Sequence, residues 1–299
     1  MSKLSESLAS GAFTFTGEIG PPKGTNIAPV IHEAHEFLSA CCAAVNVTDI
    51  QTAVMRMCSM VPCKLLIDAG IEPVLQMVCR DRNRLALQSD LLGAAALGIE
   101  NVLAITGDHI LMGDHHGAKP VYDLDSVGLL QAMSGLEKGT DLGKTMKGEA
   151  NELDGTPKFF KGCVVTPCAD DVGPQILKLE KKVAAGAQFV QTQAVYDPKA
   201  FESFMKQVEH VKVPIMVGIV LLKTAGMAKY MNKFVPGVVV PKKIIKRLAD
   251  ADKKERRKVS CQIAGELIKD MKDMCAGAHI MPLGWDKEIP RVIEFSGVN

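Results

Sequence analysis

Residues 12–22 read AFTFTGEIGPP and place a short strand near the start of the chain. The apolar run leads to Glu18, and Gly20 with the two prolines after it cannot continue a sheet. Glu18 is therefore expected at the carboxyl end of this strand. If the strand belongs to a parallel α/β barrel, that end is where such folds carry out their chemistry. Glu18 is the first candidate site residue.

The same pattern repeats along the chain, since short apolar runs alternate with amphipathic stretches of helical period. The predicted strands are 12–18, 43–48, 72–78, 101–106, 162–166, 188–193, 214–220 and 277–283. The predicted helices lie near 27–41, 52–69, 82–97, 123–136, 171–185, 197–210, 223–233, 253–274 and 286–296. Eight strands, each followed by a helix, predict an α/β fold with one domain over residues 1–299, a single (β/α)8 TIM barrel. A doubly wound open sheet is the alternative, but the chain has no G-x-G-x-x-G fingerprint.

Composition and charge give no reason to expect nucleic acid or an anionic membrane as a partner. The chain is 47% hydrophobic and 23% charged, with a formal net charge of +1, which is typical of a globular protein and gives no reason to expect nucleic acid. No apolar stretch is long enough for a membrane span, and no signal peptide is visible. The nine cysteines form no C-x-x-C pair. A reduced, cytoplasmic protein is therefore expected.

Three glycines and two long loops punctuate this pattern. Gly70, Gly98 and Gly186 each follow a helical stretch closely and suit the position just after a helix end. Residues 109–122 and 139–161 are polar, lack clear periodicity and exceed what a minimal barrel needs, which is typical of functional loops.

The first of these loops contains a group of histidines and acids. His109, Asp114, His115 and His116 lie close in sequence, but their spacing does not match a closed zinc site and no cysteine is nearby. A polar loop beside a ligand is the favoured interpretation, and no metal is expected.

Polar residues gather at the predicted carboxyl ends of the strands. Besides Glu18, the sequence places TDIQ at 48–51, TGDH at 106–109 and QTQ at 191–193 at these ends, and Gln76 in an otherwise apolar strand. Carboxylates and amides around one apolar mouth could perform acid–base chemistry on a flat polar ligand.

Five motifs in register resemble the methylenetetrahydrofolate reductase family: EIGPP at 18–22, VTD at 47–49, AITGDH at 104–109, KKVAAGAQFVQTQ at 181–193 and VGIV at 217–220. The similarity extends over roughly residues 12–235 and more loosely through 276–285. The stretch 113–127 is similar to the form found in members from anaerobic one-carbon pathways.

The resemblance implies a flavin-dependent barrel that reduces 5,10-methylene-tetrahydrofolate to 5-methyl-tetrahydrofolate, or runs the reverse, with hydride from flavin N5. It implies that Glu18 is the general acid at folate N10, that Asp108 is a catalytic carboxylate near flavin and folate, and that Gln193 binds the pterin. The positions that it places at the flavin are Thr48, Gln76, Thr106, Gly107, Asp108, Asp123, Leu124 and Lys182.

The sequence leaves the cofactor, the reductant and two rival functions open. FAD and FMN are not distinguished, and NADH is one candidate reductant. A homo-oligomer or a complex with an electron-delivering subunit is expected. The rivals are a pterin-binding methyltransferase barrel without flavin and a non-catalytic barrel subunit, in which Glu18 or Asp108 would pair with structural cations.

Overall fold

The computed structural model describes residues 1–298. Its strands are β1 (Thr14–Ile19), β2 (Ala44–Val47), β3 (Pro73–Val78), β4 (Asn101–Ile105), β5 (Thr140–Lys144), β6 (Ala150–Glu152), β7 (Phe160–Val165), β8 (Phe189–Ala194), β9 (Ile215–Val220) and β10 (Gly277–Met281). Eight of them close into a barrel in the order β1-β10-β9-β8-β7-β4-β3-β2, and every neighbouring pair is parallel. The predicted (β/α)8 barrel is confirmed.

The helices that surround and cap the barrel are α1 (Lys3–Ala9), α2 (Ala28–Phe37), α3 (Met60–Asp68), α4 (Arg84–Ala96), α5 (Ser126–Glu137), α6 (Gly173–Ala184), α7 (Pro198–Gln207), α8 (Ala225–Phe234), α9 (Lys242–Asp250), α10 (Arg256–Met271) and α11 (Ile289–Ser296). Within residues 1–298, no helix has the length and apolar character that a bilayer span requires.

The barrel strands are apolar because both of their faces are buried. Most strand residues are shielded from solvent, and the outward-facing ones pack against the surrounding helices. Gly70, Gly98 and Gly186 adopt φ values of +76°, +84° and +108°, which confirms the predicted left-handed positions after α3, α4 and α6.

The N-terminal helix α1 closes the end of the barrel opposite to the carboxyl ends of the strands. Ser2 caps it by accepting a hydrogen bond from the Ser5 backbone N–H. Leu4 and Leu8 are buried and join a small cluster with side chains from inside the barrel, such as Leu103 and Phe189. This short helix is therefore stabilised by tertiary packing, and the strand pattern gave no sign of it.

Three predicted segments differ from the structure. The helix expected over 52–69 begins only at Met60, because Ile50, Thr52 and Ala53 have positive φ values that exclude a regular helix. The polar segment 139–161 contains the antiparallel hairpin β5–β6. The basic stretch 242–258, interpreted as one surface helix, divides between α9 and the start of α10, with the break near residues 251–255.

Candidate active site

A cavity of about 420 Å3 opens at the carboxyl ends of the barrel strands. Its volume falls within the range of about 300–1,000 Å3 that is typical of small-molecule sites. Its lining residues include Glu18, Asp49, Gln76, Arg80, Thr106, Gly107, Asp108, Thr166, Gln175, Lys178, Lys182, Gln191, Gln193, His279 and Met281. A larger groove lies at the opposite end beside α1 and residues 154–160. Barrel enzymes use the carboxyl end, so the smaller cavity is the candidate active site.

Glu18 lies inside the barrel near the end of β1, and the residue is 6% exposed. Its Oε2 accepts a hydrogen bond of 3.0 Å from the side-chain amide of Gln76. His279 Nε2 lies 3.5 Å from the same oxygen, and His279 Nδ1 lies 3.0 Å from the Thr16 hydroxyl. Glu18 is therefore oriented by an amide and an imidazole, and it lines the cavity.

A layer of buried polar side chains lies beneath this carboxylate. The Asn46 and Gln191 side chains exchange two hydrogen bonds, at 2.8 and 3.2 Å, across the barrel interior. Gln191 also donates to the Thr16 hydroxyl at 3.3 Å, and through Thr16 the layer reaches His279. These interactions satisfy polar groups that would be costly to bury alone and fix the ring that contacts Glu18.

The loop after β4 brings Asp108 to the mouth of the cavity. Gly107 has a φ of +97°, and a Cβ at this position would lie 2.4 Å from Val78 Cγ1. Only glycine fits that close approach. The Asp108 carbonyl oxygen accepts hydrogen bonds from Arg80 at 3.2 Å and from the Tyr122 hydroxyl at 2.9 Å. The Asp108 carboxylate itself is exposed toward solvent at the rim.

Arg80 ties two loops of the mouth together although its side chain is only 1% exposed. It forms a bidentate pair with Asp81, at 2.8 and 2.6 Å. It also donates to the carbonyl oxygens of Ile50 and Asp108. A buried guanidinium needs such partners, and here they hold the β2 and β4 loops in place.

Asp49 is a second buried charge at the cavity wall, with 2% exposure. Its Oδ2 accepts from the Val78 backbone N–H at 2.9 Å and from Arg82, which also contacts Asp90 at 3.1 Å. Its Oδ1 has no hydrogen-bond partner within the described residues. Burial raises the pKa of Asp49, while the Arg82 charge opposes that shift.

Two lysines of α6 form the basic side of the cavity. Lys182 is 7% exposed, and its Nζ donates to the Val164 carbonyl at 2.5 Å. Burial lowers its pKa. Lys178, one turn earlier, lies 3.6 Å from Asp125 and also lines the cavity. The wall between β7 and α6 therefore offers positive charge to an anionic group.

Gln193 reaches the cavity from an irregular part of β8. The pairing of β8 with β9 shifts register between Gln191 and Ala194. Gln193 Oε1 accepts from the Ala194 backbone N–H at 2.9 Å, and the Thr192 hydroxyl donates to the Gln193 carbonyl. Such a shift redirects a side chain toward a site, and the Gln193 amide N–H groups remain available to a ligand.

The structure brings together most of the predicted site residues but not all of them. Glu18, Gln76, Thr106, Gly107, Asp108, Lys182 and Gln193 line one cavity. Thr48 is buried at the end of β2, and its hydroxyl has no hydrogen-bond partner within residues 1–298. The Asp123 carboxylate instead accepts hydrogen bonds from the backbone N–H and the guanidinium of Arg84, which lowers the pKa of Asp123 to about 2. Leu124 packs against the core.

Asp114 and the three histidines of the loop 109–122 do not form one common cluster. His109 accepts from the Leu111 backbone N–H, whereas His115 pairs with Asp114 and His116 with the Gly113 carbonyl. Within the described residues, no group of three or more acidic, histidine or cysteine side chains is placed to hold a metal ion.

The sequence profile of methylenetetrahydrofolate reductase matches residues 3–297. The chain belongs to the methylenetetrahydrofolate reductase family. It is 25% identical over 245 residues to methylenetetrahydrofolate reductase 2 of Schizosaccharomyces pombe, covering 76% of this chain and 36% of that protein. It is also 25% identical over 167 residues to a probable methylenetetrahydrofolate reductase (NADPH) of Caenorhabditis elegans, covering 54% and 22%. The chain thus spans well under half the length of these two members of the reductase family.

Solved structures extend the comparison to the fold. An uncharacterized protein from Clostridium thermocellum that binds two copies of 5-methyl-5,6,7,8-tetrahydrofolic acid superposes with a TM-score of 0.65 at 16% identity, covering 99% of this chain and 98% of that one. A 2,3-dimethylmalate lyase superposes at 0.54 with 9% identity, covering 98% and 84%. Sequence identities of 16% and 9% support a shared barrel fold between this chain and these two proteins, and nothing more.

The sequence alone assigned no individual role at the site to three of its residues, Arg80, His279 and Asp49. Arg80 lies in the charged run RDRNR, which looks like an exposed segment. His279 lies in GAHIM, and its one available signal was a single polar residue in an apolar strand. Asp49 follows Thr48 at a strand end and was only one of several polar residues there. Apart from Asp81 beside Arg80, their partners are distant in the sequence and become visible only in the fold.

Proposed function

We propose that this chain interconverts 5,10-methylene-tetrahydrofolate and 5-methyl-tetrahydrofolate with a bound flavin. One observation carries the proposal: in a chain of this family, Glu18, Asp108 and Gln193 come from separate strands and line the same cavity. The resemblance assigns to these three side chains the acid, the charge-stabilising carboxylate and the pterin-binding amide. Their convergence is what such a reaction needs.

The residues around the cavity fit a flavin. The amide, hydroxyl and ammonium groups in its lining suit a polar, phosphate-bearing ligand. Lys178 and Lys182 offer positive charge where a phosphate group could lie. Gln76 and Gly107 line the same cavity. When bound, the flavin supplies the hydride that converts the methylene group into a methyl group.

Glu18 acts as the proton donor in the proposed mechanism. Reduction requires opening of the five-membered ring of methylene-tetrahydrofolate, which a proton on N10 promotes. Glu18 lies in the cavity wall with one oxygen held by Gln76, and bound folate would shield it from water. His279 and Thr16 keep the carboxyl group in one orientation, so the proton is presented at a defined position.

Asp108 and Gln193 are proposed to bind the folate. Opening of the ring generates a cationic iminium, and a carboxylate at the mouth stabilises that charge electrostatically. The Gln193 amide can donate to the pterin, because its oxygen already accepts from Ala194. We also propose that the flavin is reduced either by NADH or by an electron-delivering partner subunit. The same proposal includes a cytoplasmic location and an oligomeric state.

Two observations favour this proposal over a non-catalytic barrel. The mouth is open to the surface, and within residues 1–298 neither the Glu18 nor the Asp108 carboxylate pairs with a lysine or arginine side chain. Such pairing is what a purely structural role predicts for these carboxylates.

The test combines flavin binding with a half-reaction. We expect the purified chain to bind FAD or FMN, and the loaded protein to oxidise 5-methyl-tetrahydrofolate with an artificial electron acceptor. Glu18→Gln keeps the size of the side chain and its contact with Gln76, so it should still bind flavin and accept electrons. In the oxidation direction Glu18 must take the N10 proton as the ring closes, and in reduction it must return it; a glutamine amide can do neither, so folate turnover should fall by about 100-fold or more.

Three outcomes would contradict the proposal. A chain that binds folate but never flavin would point to the methyltransferase alternative, and the two folate molecules bound by the Clostridium thermocellum protein make that outcome concrete. A chain that binds neither ligand would point to a non-catalytic subunit. Near-normal folate turnover by Glu18→Gln would remove Glu18 from the mechanism.

A further inference from the structure

We propose that His279 is a positioning residue for Glu18: a neutral imidazole whose proton lies on Nε2, because Gln191 determines its tautomer through the Thr16 hydroxyl. The inference deepens the proposed function and rests on it, since the orientation of Glu18 matters for catalysis only if Glu18 is the proton donor. It assigns a direction to each hydrogen bond beneath the carboxyl group, and with it the oxygen that carries the acidic proton.

The contacts of Glu18 favour a proton on His279 Nε2. Glu18 Oε2 accepts a hydrogen bond from the Gln76 side chain at 3.0 Å and lies 3.5 Å from His279 Nε2. A carboxyl oxygen in this position presents lone pairs and negative charge to the ring. An Nε2 without a proton would place a further lone pair against that oxygen, whereas an Nε2–H is attracted to it.

The contacts of Thr16 favour the same tautomer. Gln191 Nε2 donates to the Thr16 hydroxyl at 3.3 Å, so the hydroxyl oxygen acts as an acceptor there. The hydroxyl proton is then free to point at His279 Nδ1, which lies 3.0 Å away. Nδ1 accepts this proton in a hydrogen bond, and in a neutral imidazole the other nitrogen carries the ring proton. The contacts on both sides of the ring therefore assign the proton to Nε2.

Asn46 fixes the direction of this chain of hydrogen bonds at its far end. Asn46 and Gln191 are 0% and 1% exposed, and each side-chain amide donates one hydrogen bond to the other, at 2.8 and 3.2 Å. A flip of either amide alone would set donor against donor and acceptor against acceptor. A flip of both would turn the Gln191 oxygen toward Thr16, reverse the chain and place a lone pair of His279 against Glu18. The hydrogen bonds therefore run from Gln191 through Thr16 to His279.

Burial keeps His279 neutral while Glu18 holds its proton. His279 is 3% exposed. A general acid enters the reaction protonated, so Glu18 then offers no full negative charge to an imidazolium. A buried cation without a counter-charge is costly, and the neutral ring avoids that cost.

The same contacts select the reactive oxygen of Glu18. Oε2 faces Gln76 and His279, which both present N–H groups to it. Oε1 has no hydrogen-bond partner within residues 1–298, yet it is not one of the fully buried unpaired atoms there. Oε1 is therefore accessible, in a side chain that lines the cavity. The acidic proton lies on Oε1.

Nuclear magnetic resonance of the wild-type chain, labelled with nitrogen-15 in its histidine rings, tests the tautomer directly. Long-range proton–nitrogen correlations distinguish the Nε2–H, Nδ1–H and imidazolium forms. The other six of the seven histidines are exposed, so a soluble paramagnetic agent broadens their signals and leaves those of His279. We expect the Nε2–H form. An Nδ1–H form or an imidazolium overturns the inference.

Thr16→Val tests whether this tautomer matters for turnover, because a methyl group of similar size replaces the hydroxyl and Nδ1 loses its donor. Thr14→Val is the matched control: Thr14 is buried two positions earlier on the same face of β1, and its hydroxyl lies 2.8 Å from that of Ser7 instead. We expect Thr16→Val to oxidise 5-methyl-tetrahydrofolate about 10-fold or more slowly than Thr14→Val, with equal flavin binding. Thr16→Ser keeps the hydroxyl and should restore turnover to within about threefold of the wild type.

Equal turnover by Thr16→Val and Thr14→Val, or no recovery in Thr16→Ser, overturns the inference. The tautomer measurement needs no variant, so it decides the matter if Thr16→Val does not fold. A wild-type chain that shows the Nε2–H form but does not turn over folate refutes the proposed function instead.

Discussion

Gly107 at the mouth of the site should tolerate alanine far less than Gly98 does, although both have left-handed backbone conformations. Their φ values are +97° and +84°. A Cβ at Gly107 would lie 2.4 Å from Val78 Cγ1 and 3.1 Å from Arg80 Cβ, whereas a Cβ at Gly98 would meet no atom within 4 Å. The comparison separates the cost of the backbone conformation from the cost of the contact.

In both variants the free energy of unfolding should fall by about 1–2 kcal/mol, the conformational cost of a left-handed alanine. Gly107→Ala should lower the free energy of unfolding by about 1–3 kcal/mol more, because Val78 ends a buried strand and has little room to move away from the new methyl group. The total destabilisation is then about 2–5 kcal/mol at Gly107 and about 1–2 kcal/mol at Gly98.

Urea unfolding followed by the fluorescence of Trp285, the single tryptophan, measures both losses. Combining Gly107→Ala with Val78→Ala removes Cγ1, so this pair should cost less than the sum of its two single variants. Equal destabilisation by Gly107→Ala and Gly98→Ala, or strict additivity with Val78→Ala, would show that the contact at the mouth is not what requires glycine.

The other predictions concern Arg80 at the mouth and Asp286, which follows β10. Arg80→Met leaves Asp81 and two carbonyl oxygens without their buried donor, so it should lower the free energy of unfolding by about 3–5 kcal/mol. Arg84→Met, which breaks a solvent-accessible pair with Asp123, is the control and should shift thermal melts much less. Burial, and then the neighbouring Glu33, raise the pKa of Asp286 to about 6. Its contribution to stability is therefore complete below about pH 4, its ordinary pKa, and is lost as the pH rises through about 6. Unfolding measured between these values should show this loss in the wild type and a flatter dependence in Asp286→Asn; identical pH profiles would exclude Asp286 as the cause.

The barrel could be predicted because its signals are local and repeat. Apolar runs of strand length, amphipathic runs of helical period and glycines after helices follow from backbone geometry within a few residues. Helix α1 could not be predicted in this way. It has seven residues, and its stability comes from Leu4 and Leu8 packing into the base of the barrel, which the local sequence does not encode.

The residues of the candidate site likewise divide into those that local sequence signals predict and those that only the folded structure reveals. Glu18 and Asp108 follow from the rule that chemistry lies at the carboxyl ends of barrel strands, combined with the resemblance to a family. Arg80 does not, because a charged residue after a strand normally faces solvent. Its burial depends on Asp81 and on carbonyls of the β2 and β4 loops, which meet only after the barrel closes.

The polar layer under Glu18 shows why the inward faces of barrel strands were hard to recognise. Barrel interiors are usually filled by branched apolar side chains, yet here Thr16, Asn46, Gln191 and His279 occupy such positions and bond to one another. In the sequence each is a polar residue within a buried strand. That pattern alone does not show whether the side chain faces the barrel interior or the surrounding helices. Since satisfied polar networks add orientation rather than much stability, we infer that this layer beneath the proposed proton donor serves to position Glu18.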